Sequence, residues 1–153
     1  MAIAGSATPL LALDALVVDT ETTGLDPAKA EIVEIAALAL HGGRLDARPA
    51  LHRLVRPSGS IPPSASNIHG IDDAAVADAP AFASVAAEIS AAVGGAVVVG
   101  HSIGFDLAVL KREFERAGLP WSPPRTLDTR LLAEIAAPHL AGHSLDKIGR
   151  AHV

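Results

Sequence analysis

Two short apolar runs constrain this chain more than any other feature. Residues 13–20 (LDALVVDT) and 96–99 (AVVV) are rich in Val and end abruptly in polar or turn residues. Both are too short for helices, and that composition reads as buried strand. Between and beyond them the pattern changes. Residues 31–40 (EIVEIAALAL) alternate over part of their length and stop at Gly42-Gly43, which predicts a hairpin with a strand near residues 50–55. Residues 22–27 form a turn marked by Gly24 and Pro27, residues 57–63 a loop, and residues 66–79 a mixture of turns and small helical pieces.

Three helices follow from periodicity. Residues 80–93 place Phe82, Val85, Ala86, Ile89 and Val93 on one face. Asp78 is positioned to cap that helix and Pro80 to occupy its first turn. Residues 105–117 carry Leu107, Leu110, Phe114 and Ala117 as a stripe, with Gly118 as the stop. Leu127 sits in a last short strand, residues 129–137 form the third helix, and Ser144 can begin another. The order is three strands, helix, strand, helix, strand, helix. It predicts an α/β layer fold with a mixed sheet, a meander followed by right-handed crossovers.

Composition removes whole classes of function. The chain has 153 residues, 50% of them hydrophobic, which suits one domain with one core and excludes a disordered chain. With aromatics at 3%, that core must be aliphatic. There is no Cys, so disulfide scaffolds and thiolate chemistry are excluded. No apolar stretch reaches a membrane span, and the apolar N-terminus lacks a basic segment; a cytoplasmic protein without a membrane partner is expected. The net charge of −5 does not exclude nucleic acid, because an enzyme that cuts phosphodiesters concentrates carboxylates in one place. The cations fall in groups at Arg44, Arg48, Arg53 and Arg56, at Lys111, Arg112 and Arg116, and at Arg125 and Arg130, which read as solvated faces.

Asp19 and Glu21 are two residues apart at the end of the first strand, so both point to one face. Two adjacent carboxylates repel unless a cation lies between them. Hard oxygen donors suit Mg²⁺ or Mn²⁺, although two solvated acids at a strand end are an equal reading of the pair alone. Asp106 lies in the first turn of the second predicted helix. The preceding strand delivers that turn to the C-terminal edge of the sheet, where sites in α/β folds gather, so Asp106 can face Asp19 and Glu21. Asp128 reads instead as a helix-start acid with a structural role.

The letters around these acids resemble the DEDD 3′–5′ exonucleases, the DnaQ-like family. VVDTETTGLDP (residues 17–27) is similar to the family's first motif, and VVGHSIGFDLAVL (residues 98–110) to its second. SNIHGIDD (residues 66–73) is similar to the stretch that contacts the 3′-terminal nucleotide. TLDTRLLAE (residues 126–134) and HSLDKIG (residues 143–149) match later segments. The resemblance implies a ribonuclease H-like mixed five-stranded sheet flanked by helices. Residues 1–14 would be a tail and strand start, and residues 15–153 an exonuclease-like domain.

It also implies a two-metal hydrolysis of phosphodiesters at single-stranded DNA or RNA 3′ ends, with a nucleoside monophosphate as product. Asp19 would bridge two Mg²⁺ or Mn²⁺ ions, with Glu21 and Asp106 completing the shells. Thr22 and Thr23 would meet the terminal nucleotide. Leu25, Ile68, His69 and Ile71 would wedge against its sugar and base, and Gly24 and Gly70 would permit close approach. His101 and Phe105 complete the expected substrate-binding set. Sequence preference should be weak.

One part of the pattern fails. The family's third motif, His-x-Ala-x-x-Asp, carries the general base and the fourth acid, and it does not occur in this sequence. Residues 143–146 (HSLD) match the segment that normally precedes it, Asp146 comes too early, and His152 is followed by a single residue. The expectations are a truncated or missing last helix, a weak second metal site, impaired catalysis, and an uncovered apolar surface that favours self-association. A catalytically inactive nucleic-acid- or nucleotide-binding domain of the same fold is the alternative. Ser102 stands where many relatives carry Asn, and its hydroxyl can replace part of that side chain's bonding. The Asp19-x-Glu21-x-Thr23 rhythm also resembles the nucleophile loop of HAD-like phosphatases. That family wants Asp at the second acid and a later Lys, and neither fits here.

Overall fold

The Val-rich runs form the centre of a six-stranded mixed sheet in the computed structural model, which describes residue 9 and residues 12–150. Strand β1 (Ala15–Thr22) pairs antiparallel with β2 (Ile32–His41). The latter turns back through Gly42 and Gly43, with φ of 54° and 78°, into the two-residue β3 (Arg44–Leu45). Strand β4 (Leu51–Leu54) also pairs antiparallel with β2. On the other side of β1, β5 (Val97–Gly100) and then β6 (Arg125–Asp128) run parallel, giving the order β3-β2-β1-β5-β6 with β4 on β2. The expected meander and crossovers are present. The strand count is corrected from five to six, because the Gly42-Gly43 reversal pairs two residues that sequence periodicity cannot register.

Among the described residues five helices accompany the sheet: α1 (Pro63–His69), α2 (Phe82–Val93), α3 (Gly104–Arg116), α4 (Thr129–Ala136) and α5 (Leu145–Arg150). The predicted face of α2 is the buried one, Phe82, Val85, Ala86, Ile89 and Val93. It packs with Leu16, Val18 and Val98 of the sheet and with Leu110 and Phe114 of α3 in the main core. Burying each large aliphatic side chain there contributes about 1.5–3 kcal/mol. Three of the four aromatic residues meet in this layer: Phe82 and Phe114 edge to face at 5.2 Å, and Phe114 with Trp121 at 5.1 Å.

Three expectations about helices change. Helix α2 starts at Phe82 with Ala81 as an N-cap that makes no side-chain bond. Asp78 and Pro80 do not begin it, because the Pro80 carbonyl accepts from the Arg56 amide and Ala81 bridges to Arg56. A tertiary pairing thus holds residues 80 and 81 extended. The buried side of α3 contains Asp106, Val109 and Glu113 beside Leu110 and Phe114, so the stripe is rotated from the predicted one and includes two acids. Helix α1 occupies part of the predicted loop and turn region, starting on Pro63 and ending at Gly70 with φ of 78°.

The opposite sheet face carries Ala15, Val97 and Val99, with Val17, Leu40 and Leu127 partly buried. Helix α4 has no buried residue, and Leu131, Ile135 and, on α5, Leu145 are exposed. No helix among the described residues is long and apolar enough to cross a membrane.

Candidate active site

Strand β1 sets the first two acids. Its even positions Leu16 and Val18 face α2 and α3, while Asp19 and Glu21 continue the opposite row of Ala15 and Val17. Asp106 arrives from the α3 side. It is 6% exposed, and its Oδ1 accepts from the Thr20 amide at 3.1 Å and the Thr20 hydroxyl at 2.6 Å. The three acids therefore surround the end of one strand from its two faces.

They are electrostatically coupled. Burial pushes the Glu21 carboxyl above the ordinary range. Asp19, Glu34 and Asp106 push in the same direction, and His69 opposes them. Glu34 stands directly across the antiparallel pair from Glu21, a like-charge placement that costs energy. Asp106 is also raised, first by burial and further by Asp19, against the hydrogen bonds from Thr20. Among the described residues, no three His, Asp or Glu side chains stand close enough together to form a ready cage for a metal ion. Asp106 takes its hydrogen bonds from Thr20. The donor set itself fits a hard divalent cation in its chemistry. It consists of three oxygen acids, two of which, Glu21 and Asp106, are held above the ordinary carboxyl range by burial and by neighbouring carboxylates including Asp19, an arrangement a bound cation would relieve.

Beside the acids lies a cleft of about 330 Å³ lined by Glu21, Thr22, Gly24, Leu25, Ser64, Ala65, Ile68 and His69. Leu25 is 86% exposed and Ile68 78% exposed, an unusual placement for two large aliphatic side chains flanking an acid. The Thr22 hydroxyl donates to the Gly24 carbonyl at 2.8 Å, and the Thr23 hydroxyl accepts from the Glu31 amide at 3.0 Å. His69 Nδ1 accepts from the Ile71 amide at 3.1 Å, which places the ring proton on Nε2. That Nε2 is buried without a hydrogen-bond partner among the described residues.

The remaining sequence candidates lie elsewhere. Ile71 is half-buried in a satellite cluster with Val33, Ile61, Ala65 and Val76 and does not line the cleft. Phe105 packs against the main core. Gly70 serves α1 as a left-handed cap. His101 contacts the Thr129 hydroxyl at 3.2 Å and lines a separate cavity of about 610 Å³ with Ser102, Arg130, His143 and Lys147.

Asp128 has the structural role expected of it. Its Oδ1 caps α4 through the Arg130 amide and also accepts from the Ser102 amide. Ser102 has φ of 58°, a conformation that Asn or Gly adopts more readily. The backbone at that position thus favours Asn or Gly, a constraint the sequence did not suggest. Sequence reasoning missed Thr20, Ser64 and Ala65. A hydroxyl between two acids was the available signal for Thr20.

Comparison with known proteins decides the family. A family model described as exonuclease matches residues 16–151. The chain belongs to this exonuclease family. A DNA polymerase III subunit epsilon-like protein of Rhodobacter capsulatus is 42% identical over 142 residues, 92% of this chain and 20% of that protein. The 3′–5′ exonuclease DinG of Bacillus subtilis is 34% identical over 134 residues, 87% of this chain and 14% of that protein. The chain thus spans a fifth or less of the length of these relatives. Among solved structures, exonuclease X in complex with 5′-overhanging duplex DNA superposes with a TM-score of 0.72 at 31% identity, covering 90% of this chain and 72% of that one. Escherichia coli exonuclease I bound to an oligonucleotide superposes at 0.76 and 21% identity over 91% of this chain and 35% of that one, a likeness of fold. The mixed sheet flanked by helices is the ribonuclease H-like architecture expected from the resemblance.

Proposed function

We propose that this exonuclease-family chain removes nucleotides from the 3′ ends of single-stranded DNA or RNA, with Asp19, Glu21 and Asp106 holding one divalent cation firmly and a second weakly. The carrying observation is the coupled set of three carboxylates beside a cleft flanked by exposed Leu25 and Ile68. Mg²⁺ or Mn²⁺ at this position would supply Lewis-acid stabilisation of charge on a phosphodiester and a more acidic bound water. To serve it, Asp106 would release or share the oxygen now bonded to Thr20, and the three side chains would draw together around the ion.

The chain's own groups bind the strand end. Leu25 and Ile68 offer apolar surface to a terminal base or sugar, which reads no base edge and so gives weak sequence preference. Gly24 brings backbone to the cleft wall, and the Thr22 and Thr23 hydroxyls hold the turn that carries Leu25. His69 Nε2–H is a donor without a partner at the cleft, suited to an acceptor oxygen of the bound nucleotide. For residues 1–153 assayed by themselves, which contain no His-x-Ala-x-x-Asp stretch, turnover is expected to be slow, since lack of a general base costs about 10²- to 10⁴-fold. Self-association through the exposed apolar residues of α4 belongs to the same reading. A concentration-dependent sedimentation coefficient that Ile135→Glu abolishes supports it, and a concentration-independent monomer refutes it.

Calorimetry with Mn²⁺ and a 5′-labelled single-stranded oligonucleotide test the main reading. Wild type is expected to bind Mn²⁺ and to shorten the label from its 3′ end, while Asp19→Asn loses both. Equal Mn²⁺ binding by Asp19→Asn, or shortening from the 5′ end, would overturn it.

A further inference from the structure

Helix α3 carries Asp106 in its first turn, and seven residues later, on the same face, it carries a second buried acid. Glu113 is 5% exposed, and its Oε1 accepts from the Ile32 amide at 3.0 Å. Arg116 lies 3.6 Å from the same carboxylate. Its guanidinium donates through Nη1 to the Ala30 carbonyl at 3.0 Å and through Nη2 to the Lys29 carbonyl at 3.1 Å. One turn of α3 thus grips three consecutive-region backbone groups at residues 29, 30 and 32.

Those residues are the far limb of the turn that enters the candidate site. The Thr23 amide donates to the Glu31 carbonyl at 2.9 Å, and the Glu31 amide donates to the Thr23 hydroxyl at 3.0 Å. The amides of Lys29 and Ala30 donate to the Asp26 carbonyl and close the loop. The β1–β2 register shifts between Glu21 and Thr22, with Thr22 then paired to Ile32, so the regular ladder is interrupted where the turn begins. The hold of α3 on residues 29–32 acts at that interruption.

We propose that Glu113 and Arg116 are positioning residues, which fix the turn at residues 22–25 by clamping residues 29–32 to the helix that carries Asp106. A buried acid is a poor choice for stability alone, since well-packed apolar replacements of buried ion pairs are often neutral or stabilising. Burial raises the Glu113 pKa, nearby Glu31 adds to the rise, and the Ile32 amide and Arg116 oppose it. What the acid provides is a directed bond to one backbone amide and an anchor for Arg116. The consequence for 3′-end binding rests on the function proposed above.

The test uses the full chain with Arg116→Met, Glu113→Met and Glu113→Gln, and Arg112→Met as a control on the exposed side of α3. Amide hydrogen exchange reads the turn directly. Affinity for a short oligothymidylate and the saturating hydrolysis rate with Mn²⁺ read the site. Arg116→Met and Glu113→Met are expected to speed exchange at Thr23 and Glu31 without changing Val98 or Ile89. They should also weaken 3′-end affinity about tenfold while the saturating rate changes less than about twofold. Glu113→Gln keeps an acceptor for Ile32 and should fall between them and wild type. Should Glu113→Met fail to fold, the half-exposed Arg116 position still decides the matter.

Unchanged exchange at Thr23 and Glu31, uniform acceleration through the sheet, or a loss confined to the saturating rate would each overturn the clamp. Wild-type affinity with unaffected variants sinks the clamp alone. A wild type that binds no 3′ end sinks the functional reading and, with it, this role.

Discussion

Thr20→Val removes one hydroxyl from the site and little else. Valine keeps the β-branched shape, so strand β1 loses no local preference. What disappears is the 2.6 Å bond from the Thr20 hydroxyl to Asp106 Oδ1, leaving the 3.1 Å bond from the Thr20 amide. The short distance is that of a hydroxyl donating to a carboxylate, and such bonds contribute about 1.5–3 kcal/mol. For a chain of this size each kcal/mol moves the melting temperature by about 2–4 °C, so Thr20→Val should melt roughly 3–12 °C lower near neutral pH.

The pH dependence has a definite sign. The folded-state pKa of Asp106 is raised, with burial the first cause and Thr20 opposing it. A raised carboxyl contributes stability that is fully present below its ordinary value of 3.8 and is lost as pH rises through the folded pKa. Thr20→Val removes a bond that favours the ionised form and raises the pKa further. The cost of the substitution should therefore be small at about pH 4 and full at about pH 7. Urea unfolding at both values, for Thr20→Val, Asp106→Asn and the double variant, gives a coupling energy. A neutral amide accepts a weaker bond than a carboxylate, so the coupling should reach about 1 kcal/mol at the higher pH. A coupling below about 0.5 kcal/mol, or an equal cost at both values, would refute the reasoning.

Ser102→Gly should raise stability by about 1 kcal/mol, read as a higher urea midpoint, because the φ of 58° strains any residue with a Cβ. Leu25→Ala combined with Ile68→Ala should leave stability within about 0.5 kcal/mol, since both side chains are exposed, yet weaken oligonucleotide affinity at least tenfold in a fluorescence titration. Asp128→Ala should destabilise by about 1–2 kcal/mol through loss of the α4 cap while Mn²⁺ affinity stays unchanged; a matching loss of Mn²⁺ would make Asp128 a ligand.

Strands β1, β2 and β5 and helix α2 were legible because their burial is written in apolar letters. Val17-Val18 and residues 96–99 have few alternatives to buried strand, and the α2 face from Phe82 to Val93 repeats at helical spacing without interruption. Asp19 and Glu21 were legible as a pair because alternation in a strand is strict. Pairings made across the chain were hidden. Nothing around Pro80 announces that Arg56 will hold it extended, and Ile71 reads equally well as a wedge or as packing. Helix α3 illustrates the deeper difficulty, since a search for apolar periodicity discards acids. Positions 106, 109, 110, 113, 114 and 117 form an unbroken helical stripe only when Asp106 and Glu113 are admitted to it. An acid that occupies a core position at helical spacing from another acid must be desolvated together with its neighbours, and it must then find a donor. For Asp106 the donors came from β1, and for Glu113 from the start of β2. A stripe completed only by its carboxylates is thus a signal in its own right: it marks a helix face set against backbone amides of the sheet, where geometry is being held.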